Sequence, residues 1–314
     1  MKIAFLFPGQ GSQFVGMGKD IYEKYKEVMS IYDMAQKITN SNIKELSFQG
    51  PDNILNETKN TQMAILLQSI AIVQILKKYG ITADAFAGLS LGEYSALISS
   101  GAITLEDGIK IVQKRGELMQ NLVPEGNWKM AAILGLNEEQ VIKICKSVKS
   151  GFVVPANFNT IGQIVVSGEN QAIQELEKLA KESGAKKVMV LNTAGPFHTK
   201  KLEKSAEGLK EELKKYKFNS EKASVVYKNL DGKKYNTNDN YCEVLSNHIV
   251  NPVRFTDTLK NMYDDGVDCF IEVGPGKTLS GFVKRMKFER DIKIINICDV
   301  QSLETAVQTL KEEL

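Results

Sequence analysis

The clearest indication of the fold is the stretch Gly88-Leu89-Ser90-Leu91-Gly92-Glu93-Tyr94-Ser95-Ala96-Leu97. A short apolar run that ends at Ala87 predicts a buried strand before it, and the apolar spacing from Leu91 to Ser99 predicts a helix after it. A serine between two glycines at a strand-to-helix joint is the pattern of a nucleophile elbow. The same residues also fit a serine that only caps a helix, so the pattern alone leaves both interpretations open.

The composition is typical of a globular enzyme. The 314 residues are 43% hydrophobic and 25% charged, and the net charge of +2 gives no indication of nucleic acid binding. Met1 and Lys2 lead directly into a strand-like run, so we expect no signal peptide, and the most apolar segment, Met63 to Leu76, is too short and too polar to span a bilayer. The four cysteines lack metal-ligand spacing, which argues against a zinc site or a disulfide framework; they are Cys145, Cys242, Cys269 and Cys298. We therefore expect a cytoplasmic protein that is not associated with a membrane.

Two glycine-rich loops raise the question of nucleotide binding. The apolar run from Ile3 to Phe7 predicts a central strand, and the loop Pro8 to Gln13 after it begins like a dinucleotide fingerprint. Phe14 stands where the third glycine of that fingerprint should be, so we favour a loop that carries Gln10 to a site at the strand end. The loop at 274–278 resembles a phosphate loop, but Ile271 stands where that motif needs glycine.

The middle of the chain has a β-α-β-β-α-β order. This order predicts a split βαβ unit, with four strands and two helices, inserted in a larger α/β body. Its expected elements are Trp128 to Leu136, Glu138 to Lys149, Phe152 to Phe158, Gln163 to Ser167, Ala172 to Glu182 and Lys187 to Leu191. Outside it we predict helices at Asp20 to Thr39, Leu105 to Leu122, Lys200 to Lys217 and Ser302 to Glu312, and strands at Ser224 to Tyr227, Cys269 to Val273 and Lys293 to Ile297.

A serine nucleophile requires a base, and the chain has only two histidines, His198 and His248. His198 lies in the loop from Asn192 to Thr199, between a predicted strand and a predicted helix, where α/β sites form. Each histidine could equally be a surface residue or a satisfied core residue. Arg115 lies on a largely apolar helix, where it could be an ordinary snorkelling side chain or form a surface ion pair with Glu117 or Glu106. It could also be a fixed guanidinium that binds a carboxylate.

These motifs together resemble the malonyl-CoA:acyl carrier protein transacylase family over nearly the whole chain. The matching segments are Pro8 to Gln13, Gly88 to Leu97, Lys114-Arg115-Gly116, Asn157-Phe158-Asn159, Gly162 to Gly168, Pro196-Phe197-His198, Asn251 to Phe255 and Glu272 to Gly276. The resemblance implies an α/β fold: a large α/β-hydrolase-like body with a mostly parallel sheet, residues 1–124 and 198–314, and an inserted small ferredoxin-like subdomain, residues 125–197.

The resemblance also implies site residues. Ser90 would be the nucleophile that attacks the thioester, and His198 would be its base, oriented by a backbone carbonyl near His248. The backbone N–H groups of Gln10 and Leu91 would form the oxyanion hole. Arg115 would bind the free carboxylate of the malonyl group. The ring of Phe197 would disfavour the extra methyl group of methylmalonyl.

Two positions depart from the family pattern. Leu89 stands where the family usually has histidine before the serine, which affects local hydrogen bonding more than chemistry. His248 stands where many members carry glutamine, and its ring could compete with His198 as a base.

The implied reaction is acyl transfer from malonyl-CoA to an acyl carrier protein, in support of fatty acid synthesis and without a metal or other cofactor. We expect a monomer that binds no nucleic acid. A docking surface for the acidic carrier is expected among basic residues that could equally be ordinary surface side chains: Lys200, Lys201, Lys204, Lys277, Lys284 and Arg285. The alternatives are a polyketide-pathway acyltransferase, a serine thioesterase or esterase, and a non-catalytic carrier-binding module.

Overall fold

The computed structural model describes residues 1–191 and 195–313. Its eight strands are β1 Ile3–Phe7, β2 Ala85–Gly88, β3 Trp128–Leu134, β4 Val153–Thr160, β5 Gln163–Glu169, β6 Lys187–Leu191, β7 Cys269–Val273 and β8 Lys293–Ile297. The first helices are α1 Lys19–Lys24, α2 Met29–Thr39, α3 Ile43–Gln49, α4 Asp52–Leu55, α5 Thr58–Lys78, α6 Gly92–Ser100, α7 Leu105–Asn121 and α8 Glu138–Ser147. They are followed by α9 Asn170–Glu182, α10 Glu203–Leu213, α11 Ser220–Ala223, α12 Tyr241–Val250, α13 Phe255–Asp264, α14 Thr278–Met286 and α15 Val300–Glu313.

The first sheet forms the centre of the body and is parallel, with strand order β2-β1-β7-β8. All five residues of β1 are buried, because helices cover both faces of the sheet. Phe5 and Phe7 face the large core formed with α5, α6 and α7, and Leu6 faces a second core formed with α13 and α14. The expected α/β body with a parallel sheet is confirmed.

The carboxyl ends of β1 and β2 lie side by side. Phe7 pairs with Gly88, so the glycine-rich loop after β1 and the turn after β2 leave the sheet at the same edge. Ser90 follows β2 with φ of 53°, a left-handed conformation that is uncommon for any residue other than glycine. The chain then enters α6 at Gly92, whose ideal Cβ would lie 2.1 Å from the carbonyl oxygen of Phe7. The strand, strained serine and close-packed glycine are the features of the predicted elbow.

The second sheet is antiparallel, with strand order β4-β5-β3-β6. Helices α8 and α9 pack on one face through a separate apolar core that includes Ile133 and Val166. The other face, which includes Met130 and Val165, packs against the core of the body. The predicted split βαβ order is confirmed; the exact boundaries at 125 and 197 stay a prediction, and residues 192–194 of the predicted loop lie outside the described residues.

Three predicted elements were wrong in part. The helix expected from Asp20 to Thr39 is interrupted at Tyr25, which is extended (φ −113°, ψ 97°) and buried against the core. The strand expected from Ser224 to Tyr227 is reduced to two isolated bridges, a parallel one between Phe86 and Val226 and an antiparallel one between Tyr227 and Lys234, because β2 turns into the elbow just beyond Phe86. The helix expected from Lys200 to Lys217 is a 3₁₀ turn followed by α10, which ends at Leu213.

Within the part of the chain that the structure describes, none of the helices combines the length and apolar character needed to cross a membrane.

Candidate active site

The Ser90 hydroxyl lies between two side chains that come from distant parts of the chain. His198 Nε2 is 2.9 Å from Ser90 Oγ, and the Arg115 guanidinium donates a hydrogen bond of 3.0 Å to the same oxygen. The elbow carries Ser90, α7 carries Arg115, and the segment after the small sheet carries His198. The structure therefore brings together the three residues that the sequence singled out for chemistry.

His198 is oriented by a backbone carbonyl. Its Nδ1 is 2.9 Å from the carbonyl oxygen of His248, so Nδ1–H donates to that oxygen and Nε2 is left as an acceptor for the Ser90 hydroxyl. The pKa of His198 is lowered to about 4, mainly by burial and to a smaller extent by the positive charge of Arg115, while the hydrogen bond to the His248 carbonyl opposes the shift. The imidazole is therefore neutral at physiological pH and able to accept a proton.

Arg115 is buried, with 1% of its surface exposed. Its guanidinium donates to Gln62 Oε1 at 2.6 Å and lies over the ring of Tyr94, with Cζ 5.4 Å from the ring centroid. In the described part of the chain it forms no ion pair, and its Nε has no hydrogen-bond partner. This rules out both ordinary interpretations, the snorkelling side chain and the surface ion pair.

The backbone N–H groups of Gln10 and Leu91 are available as donors. Neither N–H donates to another group among the residues the structure describes. Leu91 directly follows Ser90 at the start of α6, where helix geometry leaves N–H groups without internal partners. The side chain of Gln10 is 3.5 Å from Thr58 Oγ1, and Gln10 is among the residues that line the cavity.

A cavity of about 260 Å³ opens above Ser90, between the two sheets. The body contributes the loop after β1, the elbow and the start of α14, and the small subdomain contributes the inner face of its sheet. Phe197 is buried and lines this cavity beside His198. The lining is mostly apolar, with a few polar groups near the serine, as expected for a small-molecule site.

His248 lies directly behind the proposed base. Its ring stacks on the ring of His198, with centroids 5.0 Å apart and planes at 28°. Its Nδ1 is 3.3 Å from Glu93 Oε2 but is not aimed to form a hydrogen bond, and neither ring nitrogen has a partner among the described residues. Burial lowers the pKa of His248 well below its usual value. The hydrogen bond to Ser90 is made by His198, so the ring of His248 is not in the position of a base.

The other departure from the family pattern, Leu89, is structural. Its side chain packs against the core that contains Leu6, and its N–H donates to the carbonyl of Phe7 at 2.9 Å. The elbow is thus tied to β1 through the backbone, which requires no particular side chain at this position.

Three polar residues around the site were missed from the sequence. Gln62 holds the guanidinium of Arg115, Glu93 is buried beside His248, and Asn229 binds the backbone of the elbow. Glu93 belongs to the quoted motif, and an acidic residue in the first turn of the helix after the serine was an available signal. Gln62 and Asn229 reach the site only through tertiary folding, and no local pattern identifies them.

In the described residues no group of three or more histidine, cysteine or acidic side chains is placed to hold a metal ion. The arrangement of hydroxyl, neutral imidazole and free N–H groups is one that performs acyl transfer through a covalent intermediate.

Comparison with known proteins agrees with this chemistry. The family model "Acyl transferase domain" matches residues 4–299. A malonyl CoA-acyl carrier protein transacylase from Bacillus subtilis (strain 168) is 42% identical over 314 residues, which are 99% of this chain and 98% of that protein.

Solved structures are similar over the whole chain. The crystal structure of a malonyl CoA-acyl carrier protein transacylase from Clostridium perfringens ATCC 13124 has a TM-score of 0.93 at 40% identity, covering 100% of this chain and 98% of that one. A malonyl-transacylase in complex with a type II PKS acyl-carrier protein has a TM-score of 0.93 at 34% identity, covering 98% and 100%. Since sequence, fold and site geometry agree, this chain belongs to the acyl transferase domain family, among its malonyl-transacylase members.

Proposed function

We propose that this protein transfers the malonyl group of malonyl-CoA to the phosphopantetheine thiol of acyl carrier protein, for fatty acid synthesis. The observation that supports this most directly is the Ser90 hydroxyl, which is hydrogen-bonded at once to a neutral imidazole and to a buried guanidinium that lacks an acidic partner in the described part of the chain. A serine esterase needs the first of these groups but has no use for the second.

In the first half-reaction the Ser90 oxygen attacks the thioester carbonyl of malonyl-CoA while His198 Nε2 takes its proton. The negative charge that develops on the carbonyl oxygen is stabilised by the N–H groups of Gln10 and Leu91. The carbon–sulfur bond then breaks, His198 returns the proton to the departing thiolate, and coenzyme A leaves with a malonyl ester on Ser90.

In the second half-reaction the carrier thiol gives its proton to His198 and attacks the malonyl ester. The carbon–oxygen bond breaks, and the same proton passes to Ser90. Because the two thiols use one site in turn, the kinetics are ping-pong. No step requires a metal or redox cofactor, so we propose that none takes part.

Acyl selectivity follows from Arg115 and Phe197. The guanidinium fork of Arg115 forms a bidentate, charge-assisted pair with the free carboxylate of the malonyl group. An acyl group without that carboxylate leaves a buried charge unpaired. The buried ring of Phe197 at the cavity wall disfavours a branched acyl group such as methylmalonyl.

The acyl carrier protein is proposed to dock at the cavity mouth. Three exposed lysines follow His198 closely, and three further exposed basic residues adjoin the cavity-lining residues of α14; they are Lys200, Lys201, Lys204, Lys277, Lys284 and Arg285. An acidic carrier would be steered to such a surface. We further propose that the protein works as a monomer in the cytoplasm.

A second candidate partner is the carrier protein of a polyketide pathway. This candidate is supported by the malonyl-transacylase that was solved in complex with a type II PKS acyl-carrier protein. The structural similarity to that enzyme extends over 98% of the present chain. The chemistry at Ser90 is the same in both cases, and only the carrier differs.

The test follows labelled malonyl-CoA in the presence of a fatty-acid carrier, a polyketide carrier or no carrier. We expect label on the fatty-acid carrier much faster than free malonate is released. Release of malonate at the same rate with and without carrier would instead indicate a thioesterase. Faster transfer to the polyketide carrier would favour the second candidate.

A further inference from the structure

Asn229 is a buried residue in the loop between α11 and α12, with 1% of its surface exposed. Its side chain binds the backbone on both sides of Leu89. The Oδ1 atom accepts from the N–H of Ser90 at 2.9 Å, and the Nδ2 atom donates to the carbonyl of Gly88 at 2.7 Å. One amide therefore brackets the peptide groups that lead into the proposed nucleophile.

The side-chain amide of Asn229 takes the place of a backbone hydrogen bond that would continue a short parallel pairing beside β2. Phe86 exchanges two backbone hydrogen bonds with the segment around Val226: its N–H donates to Val225 and its carbonyl accepts from Tyr227. A regular ladder would continue with the N–H of Asn229 donating to Gly88. Here the side-chain amide makes that bond, and the backbone N–H of Asn229 donates to Glu93 Oε2 at 3.1 Å.

The elbow needs such support because Ser90 has φ of 53°. A residue with a side chain persists in this conformation only where the surroundings fix it. On one side of the elbow, the N–H of Leu89 bonds to Phe7 in β1. The first sheet ends at β2, so the opposite side has no regular strand neighbour and depends on the Asn229 amide.

Asn229 is itself held from two directions. Its carbonyl accepts from the N–H of Arg254 at 2.7 Å, and its N–H is bound by the buried carboxyl of Glu93. The Tyr235 hydroxyl donates to the other oxygen of Glu93 at 2.6 Å. The amide is thus fixed relative to α6, which begins directly after the nucleophile.

We propose that Asn229 is a positioning residue that holds the Ser90 backbone in its strained conformation, so that the hydroxyl stays aligned with His198. The inference rests on the proposed function only in taking Ser90 as the nucleophile; it does not depend on which acyl group is transferred. A small displacement of a reacting atom lowers rates by factors on the order of 100.

The experiment compares Asn229→Ala with Asn240→Ala. Asn240 is a matched control, because its side chain also accepts from a backbone N–H, that of Glu243, but at the start of α12 and not at the elbow. Two rates are measured on folded protein: acyl-enzyme formation from malonyl-CoA in a single turnover, and labelling of Ser90 by a fluorophosphonate, which needs no malonyl group.

For Asn229→Ala we expect both rates to fall about 10- to 100-fold with the KM for malonyl-CoA changed less than about threefold. Asn240→Ala should keep both rates at the wild-type level, even if its melting temperature falls as much as that of Asn229→Ala. Wild-type rates in folded Asn229→Ala would overturn the proposal. If the wild type does not accept malonyl but its fluorophosphonate labelling still requires Asn229, the proposed function fails and this inference stands.

Asn229→Asp decides the matter even if the alanine variant does not fold. An ionised carboxylate can accept from Ser90 N–H but repels the Gly88 carbonyl, whereas a protonated carboxyl group donates to it. The titratable groups packed nearby are Glu93, Tyr235 and His248, and the pKa of Glu93, about 7, lies inside the pH range of the test. The Asn229→Asp variant and its reference, which keeps Asn229, therefore both carry Glu93→Gln. His198 stays neutral above about pH 5, and burial holds the pKa of His248 well below its usual value. The labelling rate relative to this reference should rise severalfold from pH 8 to pH 5.5, and a constant ratio would contradict the proposal.

Discussion

The positively charged side chain of Arg115 is almost completely buried from solvent. Its hydrogen bonds go to the neutral groups of Gln62 and Ser90, and its flat face lies on Tyr94. Burial lowers the pKa of the guanidinium, but arginine stays charged in proteins. A buried cation without a carboxylate is unfavourable by several kcal/mol. Under the proposed function, the free energy regained when the malonyl carboxylate pairs with Arg115 would select for substrates that carry this group.

Replacing Arg115 should therefore change acyl preference more than it changes reactivity. In Arg115→Ala we expect kcat/KM for malonyl-CoA to fall by about 100-fold or more, since two charge-assisted hydrogen bonds are lost, while acetyl-CoA loses far less. The measurement is kcat/KM for both thioesters. Lys110→Ala on the same helix, which removes only an exposed pair with Glu106, serves as the control. An equal loss for both thioesters would mean that Arg115 has a structural role only.

Glu93 should make the stability of the protein depend on pH. Burial raises the pKa of this carboxyl group to about 7, against the hydrogen bonds from Tyr235 and Asn229. The folded state therefore binds a proton that the unfolded state has released, and stability falls as the pH rises from about 4.5 to about 7.

The variant Glu93→Gln removes that titration. Relative to wild type it should gain about 2 kcal/mol between pH 5 and pH 8, or roughly 4 °C in melting temperature. His198 has the opposite effect, because its lowered pKa destabilises the fold as the pH falls below about 6.5. This effect is the same in wild type and in Glu93→Gln, so it cancels in the difference between their melting temperatures. A melting-temperature difference that is the same at both pH values would show that Glu93 is ionised when folded.

At the scale of elements, the strand–elbow–helix unit depends on two glycines. An ideal Cβ at Gly88 would lie 2.0 Å from the carbonyl carbon of Gly92, and one at Gly92 would lie 2.1 Å from the Phe7 carbonyl oxygen. Neither contact involves a flexible side chain that could move away. The glycines are thus needed for backbone approach on both sides of Ser90.

Gly92→Ala should lower the free energy of unfolding by about 3 kcal/mol or more, because overpacked backbone cannot relax as a side chain can. Gly281→Ala is the matched control: it lies inside α14 with nothing within 4 Å of its ideal Cβ, and alanine there should stabilise by up to about 1 kcal/mol. Urea unfolding of both variants makes the comparison. Equal stabilities would show that the elbow is not closely packed.

Local patterns predicted these elements well where periodicity and turn chemistry act together. The buried run of β1, the turn at Ser90 and the alternating order of the small subdomain could all be read from the sequence. The two hydrogen bonds from the Asn229 side chain to the elbow could not be predicted from the sequence. Asn229 lies 139 residues from Ser90, and its neighbourhood resembles an ordinary turn. The break at Tyr25 was missed for a similar reason, since burial of its ring is decided by distant residues.

At the scale of the whole molecule, the cavity depends on how the two sheets face each other. Arg254 joins them: its guanidinium binds Glu138 at the start of α8, binds Asp257 in α13, and lies 4.3 Å from the ring centroid of Phe158 in β4. The segment beside it also pairs with β4, since Val253 exchanges backbone hydrogen bonds with Ala156 and Phe158. The small subdomain is therefore fixed to the body next to the cavity.

Arg254→Ala should loosen this junction. We expect a stability loss of about 1–2 kcal/mol and a severalfold rise in the KM for malonyl-CoA, with fluorophosphonate labelling of Ser90 unchanged. Arg290→Ala is the control, because Arg290 also stacks on a ring, that of Tyr263, but its hydrogen bonds stay within the body. A rise in KM that is the same in both variants would argue against a role for the junction.

The central claim is that Ser90 carries the malonyl group and that His198 activates it. The direct measurement is mass spectrometry of digested protein after a brief reaction with malonyl-CoA alone, in wild type, His198→Ala and His248→Ala. We predict a malonyl adduct on the Ser90 peptide of wild type and His248→Ala and almost none in His198→Ala, since only the backbone carbonyl of His248 orients the base. An adduct on another residue, or one that requires the His248 ring but not His198, would contradict the claim.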